Sequence, residues 1–151
     1  MKLILVTGLS GGGKSIAIRQ LEDCGYYCID NLPAEFLLPV TRTLARSETK
    51  MAAVAIDARA HATFDSTLAS LKTLRAEGFD VRILYLTAST PEITRRFSET
   101  RRRHPLSTHA RAHSEEVTLQ EAIERERMLL EPVCRHACVL DTTGLLPAQL
   151  R

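Results

Sequence analysis

The chain has 151 residues, 44% hydrophobic and 25% charged, with 7 glycines and 6 prolines. That is the length of one domain and the composition of a globular one, which excludes wholesale disorder, a collagen-like repeat and a coiled coil. A formal charge of +2 is too small to argue for a nucleic-acid partner by itself. No apolar run approaches the roughly 20 residues that span a bilayer, so no membrane role and a cytoplasmic location are expected.

In chain order, Leu3 to Thr7 is a continuous apolar run, as in a parallel strand buried on both faces. It is too short for a signal-peptide core, and glycines follow it instead of a cleavage site. Ser15 to Cys24 reads as a helix with Ile16, Ile18 and Leu21 toward a sheet and Gly25 as its stop. Tyr26 to Asp30 is a second strand. A helix is expected from Pro33 to about Arg46, carrying Leu37, Val40 and Leu44. Ala52 to Asp57 is a third strand, and Thr63 to Glu77 a helix with Phe64, Leu68, Leu71 and Leu74 on one stripe, ended by Gly78. Val81 to Leu86 is a fourth strand. Thr90-Pro91-Glu92 opens a helix with a cap and a first-turn proline. His104 to Val117 is polar and reads as a solvated loop or a lid over a site. Leu119 to Leu130 is a helix expected to stop at Pro132, and Ala137 to Asp141 a fifth strand. Asp141-Thr142-Thr143-Gly144 then leads into Leu145, Leu146 and Leu150, a started helix. Strand alternating with helix implies a parallel sheet with right-handed crossovers.

The 4 cysteines are Cys24, Cys28, Cys134 and Cys138. Their spacing invites a zinc reading, but most zinc motifs use C-x2-C. Small buried hydrophobes in a reducing cytosol are the expectation.

Gly8-Leu9-Ser10-Gly11-Gly12-Gly13-Lys14-Ser15 fits G-x4-G-K-[ST] between a buried strand and a helix. Phosphates need converging backbone N–H groups, and glycines allow both the dihedrals and the close approach. Lys14 is expected to reach the β- and γ-phosphates and Ser15 to offer its hydroxyl to Mg²⁺. The fold expected is a three-layer α/β P-loop NTPase domain over residues 1–151, with a five-stranded parallel sheet in the kinase-like order 2-3-1-4-5. In that order the third strand neighbours the first, so Asp57 is the metal-side carboxylate and Asp30 its rival. Arg95, Arg96, Arg101, Arg102 and Arg103 form a basic stretch that can clamp a phosphoryl group. A solvated basic face and an RNA-binding patch are the other readings. With aromatics at 5% and Phe97 the nearest ring, a stacking platform is not evident. His104, His109 and His113 are assigned no role.

Beyond the loop, Leu21-Glu22-Asp23, Gly25 to Pro33 (G-Y-Y-C-I-D-N-L-P), Asp57-Ala58-Arg59, Leu84-Tyr85-Leu86 and Arg95 to Arg102 followed by His104-Pro105-Leu106 stand at characteristic spacings. Ala122-Ile123, Glu126, Leu129 to Pro132 and Asp141-Thr142 continue the pattern. Together these segments resemble the RapZ/YvcJ family of P-loop nucleotide-binding proteins over essentially the whole chain. The resemblance implies ATP and GTP binding with weak hydrolysis. It assigns ATP to Gly8–Ser15 and GTP to Asp57, Ala58, Arg59 and Ala60, with Ala60 standing where the family has Asn or Ser. It also implies an RNA-binding adaptor that brings a small RNA to an endoribonuclease, a role that depends largely on a C-terminal domain absent from this chain. Oligomeric state stays open. The resulting expectation is a switch or slow hydrolase. Gly8 to Lys14 cradle the phosphates, Ser15 and Asp57 hold Mg²⁺, and Arg101, Arg102 and Arg103 neutralise the γ-phosphate. The rival is a small-molecule kinase of the adenylate- or gluconate-kinase-like class, for which Asp30 and Arg59 are the available acceptor-side groups.

Overall fold

The unbroken apolar runs become strands covered on both sides. A computed structural model describes residues 1–9, 12–56, 64–100, 119–134 and 137–143. Strand β1 (Lys2–Gly8) is central, with β3 (Met51–Ile56) on one side and β4 (Asp80–Thr87) on the other. β2 (Tyr27–Leu32) pairs with β3, and β5 (Cys138–Asp141) with β4. All pairings are parallel, as the alternation of elements predicts, and the order is β2-β3-β1-β4-β5, as expected of the kinase-like P-loop fold. Val6 lies opposite Ala55 and Gly8 opposite Leu86, which sets the ends of the three central strands side by side.

Successive residues of a strand face opposite sides, so the sheet has two apolar faces. On one, Leu3, Leu5, Val54 and Ile83 meet Leu37 of α2 (Leu37–Arg46) and Leu71 and Leu74 of α3 (Phe64–Ala76). Leu71 and Leu74 are fully buried, and each contributes about 2 kcal/mol by leaving water. Tyr85 carries the same face on to Ile93 and Phe97 of α4 (Thr90–Thr100) and to Ile123 and Leu130 of α5 (Leu119–Cys134). On the other face, Val6, Ala53, Ala55 and Leu86 receive Ala17 and Ile18 of α1 (Lys14–Asp23). Right-handed crossovers require this division, because β1 to β2 runs across the sheet in the direction opposite to the later connections. Among the described residues, no helix is long and apolar enough to cross a membrane.

Three expectations are corrected. The helix expected from Pro33 opens with a 3-10 turn, Ala34–Phe36, and α2 begins at Leu37. Pro33 itself is extended (φ −61°, ψ 136°), as the ring permits. Helix α5 does not stop at Pro132 but runs to Cys134. A proline this near the helix end forfeits one backbone hydrogen bond without breaking the turns before it.

The cysteines are not uniformly buried. Cys24 and Cys138 are exposed, and Cys28 is partly so. Cys24 is the C-cap of α1, and Cys138 opens the edge strand, where Val139 and Leu140 are exposed as well. Cys28 sits 3.4 Å from the Ile18 carbonyl and 3.5 Å from that of Tyr26. Burial, with a smaller push from Glu22, raises its pKa and keeps it a thiol. Among the described residues, no group of three or more His, Cys, Asp and Glu side chains is placed to hold a metal ion.

Candidate functional site

Because the strands are parallel, their C-terminal ends share one rim of the sheet, where open α/β folds bind ligands. The turn from β1 to α1 lies at its centre. Gly8 has φ +137° and packs directly on the Leu86 carbonyl, to which the N–H of Leu9 donates at 3.1 Å. Leu9 is fully buried against the cluster holding Tyr85 and Ala88, an apolar anchor for the loop. The N–H of Gly12 donates back to Leu9 O at 2.8 Å, and Gly13, at φ 105°, leads into α1.

The start of α1 is electrically open. Gly13 offers no side-chain cap, and the first turn holds no acidic residue. Helix α4 differs: Ser89 Oγ accepts from the N–H of Glu92 at 3.4 Å, and Glu92 lies in the first turn. Lys14 folds back so that Nζ donates to Gly8 O at 3.1 Å, which sets its ammonium over the loop. Ser15 follows, exposed, in the first helical turn. Helix dipole and ammonium coincide, a combination suited to a polyanion with the Ser15 hydroxyl at its edge. Ser10 and Gly11 lie outside the described residues.

So do Asp57, Ala58, Arg59 and Ala60, directly after β3, and Arg101, Arg102 and Arg103, directly after α4. Asp30, the rival acid, is exposed near the end of β2. Its Oδ1 accepts from the N–H of Asn31 at 2.9 Å, and Asn31 takes the left-handed φ of 54°. From the basic stretch, Arg95 and Arg96 both engage Glu92, at 2.7 and 3.2 Å. The Arg95 hydrogen bond, followed by the charges of both arginines, holds the Glu92 carboxyl below the usual range.

Residues the sequence pattern did not single out as site residues complete this rim. Thr142, just past β5, is buried. Its hydroxyl lies 2.8 Å from Gly12 O and 3.2 Å from Thr87 O, and accepts from Arg96 Nη1 at 3.0 Å. Arg96 Nη2 also donates to Thr142 O at 2.6 Å. Arg127 of α5 donates to the carbonyl of Ala88 and to the hydroxyls of Thr87 and Thr90. Thr143 Oγ1 accepts from the N–H of Ser89 at 2.8 Å. The one signal in the sequence was Asp141-Thr142 at the end of a strand.

Asp141 Oδ1 accepts from the hydroxyl and N–H of Thr143, at 2.6 and 2.9 Å. The hydroxyl bond is the largest cause of a lowered pKa, with smaller help from Arg127 and Arg96. A carboxyl depressed on folding stabilises the fold above its unfolded pKa, and the contribution disappears as pH falls through the folded value. The Asp141 carboxyl carbon is therefore expected to titrate by NMR below the ordinary aspartate midpoint, and Thr143→Val to move that midpoint up. An unshifted midpoint in the variant would remove Thr143 as the cause.

The sequence matches, over residues 1–151, the family described as RapZ-like N-terminal domain. A nucleotide-binding protein of Burkholderia cenocepacia (strain HI2424) is 48% identical over all of this chain and 51% of its own length. One of Burkholderia pseudomallei (strain 668) is 47% identical over all of this chain and 52% of its own. The chain thus spans about half the length of the curated relatives it matches. Among solved structures, the YorR protein of Bacillus subtilis, in complex with phosphorylated GDP, superposes with a TM-score of 0.61 at 15% identity, covering 98% of this chain and 90% of that one. Shikimate kinase from Bacteroides thetaiotaomicron gives 0.51 at 12% identity, covering 91% and 84%. At such identities the likeness is one of fold: a three-layer α/β P-loop fold of the kinase type.

Proposed function

The chain belongs to the RapZ-like N-terminal domain family, and from that premise we propose that it is a P-loop domain binding a nucleoside triphosphate with Mg²⁺, working as a switch or slow hydrolase. The observation that carries this reading is the uncapped start of α1 with the Lys14 ammonium folded over the loop, 3.1 Å from Gly8 O. In this reading Gly8–Ser15 hold ATP and Lys14 bridges its terminal phosphates. Ser15 and Asp57 hold Mg²⁺, which supplies charge neutralisation between the phosphates. Arg101, Arg102 and Arg103 neutralise the γ-phosphate, and Asp57–Ala60 form the GTP-linked segment. The nucleotide state would act, from the cytoplasm, on an RNA adaptor role exerted through a further C-terminal domain, with a small RNA and an endoribonuclease as partners.

A small-molecule kinase is the second reading. It is favoured by the exposed Asp30 carboxylate, which stands on the same rim as the loop and two strands away in the sheet. One set of measurements separates the two. Calorimetric titration with ATP and GTP, each with and without Mg²⁺, is expected to give Mg²⁺-dependent binding. Phosphate release is expected to be slow and unchanged by added sugars or nucleotides. Faster transfer to an acceptor than to water would select the kinase; no binding of either triphosphate would end both readings.

A further inference from the structure

Gly12 and Gly13 share one peptide unit in the middle of the loop, and nothing intrinsic to two adjacent glycines fixes which way it faces. Turning it by roughly 180° would carry the φ of Gly13 from 105° into the negative region, which glycine occupies equally well. A contact to the Gly12 carbonyl can therefore fix its orientation. The group in place to supply it is Thr142, which is 130 residues away in sequence and 1% exposed.

A threonine hydroxyl has one proton to donate. Arg96 Nη1 donates to Thr142 Oγ1 at 3.0 Å, so the proton points elsewhere, toward Gly12 O at 2.8 Å or Thr87 O at 3.2 Å. The shorter contact favours Gly12, and the arginine's charge strengthens the hydroxyl as a donor. Thr142 is itself held in place: its N–H donates to Thr87 O at 2.7 Å, and its carbonyl accepts from Arg96 Nη2 at 2.6 Å. In a planar trans peptide, C=O and N–H point in opposite directions. Fixing the Gly12 carbonyl on Thr142 therefore turns the Gly13 N–H away from Thr142.

We infer that Thr142, oriented by Arg96, is a positioning residue of the phosphate loop that holds the Gly12–Gly13 peptide with its N–H presented to the phosphate chain. The inference deepens the nucleotide-site reading and rests on it. It also gives Arg96 a role different from a phosphate clamp: it acts on the loop through the Thr142 hydroxyl.

The test compares wild type with Thr142→Val, which keeps the shape and loses the hydroxyl, and with Thr142→Ser, which restores it. Mg-ATP affinity is read by calorimetry and the Gly13 amide by ¹H–¹⁵N NMR. Thr142→Val is expected to weaken Mg-ATP about fivefold, the worth of one net hydrogen bond, and to abolish the Gly13 amide shift on Mg-ATP addition. Thr142→Ser is expected to recover both. A merely structural role would lower the melting temperature and leave the affinity and the Gly13 shift as in wild type; that result overturns the inference. If Thr142→Val does not fold, Arg96→Gln carries the test: a reduced Gly13 shift and weaker Mg-ATP support the inference, and wild-type values overturn it. Absence of Mg-ATP binding by wild type would overturn the nucleotide-site reading itself and this inference with it.

Discussion

Gly8→Ala is expected to cost about 4 kcal/mol of folding stability. A Cβ at this position would stand 2.0 Å from the Leu86 carbonyl oxygen and 2.7 Å from the Leu86 nitrogen, both backbone atoms in the strand next door. No rotamer change relieves a clash with backbone, so β1 and β4 would have to separate where Gly8 pairs with Leu86. The φ of +137° adds its own penalty for any residue with a side chain. A clash this close with backbone puts overpacking at the upper end of its range, about 3 kcal/mol, and the unfavourable φ adds about 1 kcal/mol more. Against a typical margin of about 5–15 kcal/mol this is a large share, equivalent to a urea midpoint lower by roughly 2 M. A midpoint within experimental error of wild type would mean that β1 and β4 do not approach as closely as described.

Lys14→Ala is expected to do the reverse: little to the fold and much to the ligand. Lys14 is half-buried at the first position of α1, where alanine is an excellent helix former, so stability should change by less than about 1 kcal/mol. Mg-ATP affinity should fall by about 100-fold, as one charge-assisted contact to phosphate and its field over the loop are removed. Lys14→Arg should not restore it, because a planar guanidinium cannot replace a compact ammonium turned back to 3.1 Å from Gly8 O. If the alanine variant bound Mg-ATP as tightly as wild type, the phosphate site would lie elsewhere.

Much of the architecture was legible because its signals are local. Leu3–Thr7 can be apolar throughout only if both faces are covered, and the glycine-rich turn after it must serve close approach. The parallel pairing followed from the alternation of elements, and the strand order from the kinase-like fold expected of a P-loop domain. The differences also have local causes. Pro33 suggests a helix start, but its extended backbone places the 3-10 turn after it. Pro132 suggests a stop, but so close to the end of α5 a proline costs only one hydrogen bond. Cys138, expected to be buried, is exposed together with the rest of β5, the edge strand.

Element order, the parallel sheet and the glycine-rich G-x4-G-K-[ST] turn can all be read from residue types at short spacing. Tertiary structure alone decided what holds that loop. Thr142 and Gly12 meet because β5 returns to the same rim as β1, with β4 between them. Arg96 and Arg127 converge on the ends of β4 and β5 from different helices. Contacts of that kind depend on where the chain crosses back over the sheet. A threonine that braces a loop and a threonine at an ordinary strand end are the same letter until the fold brings them to their partners.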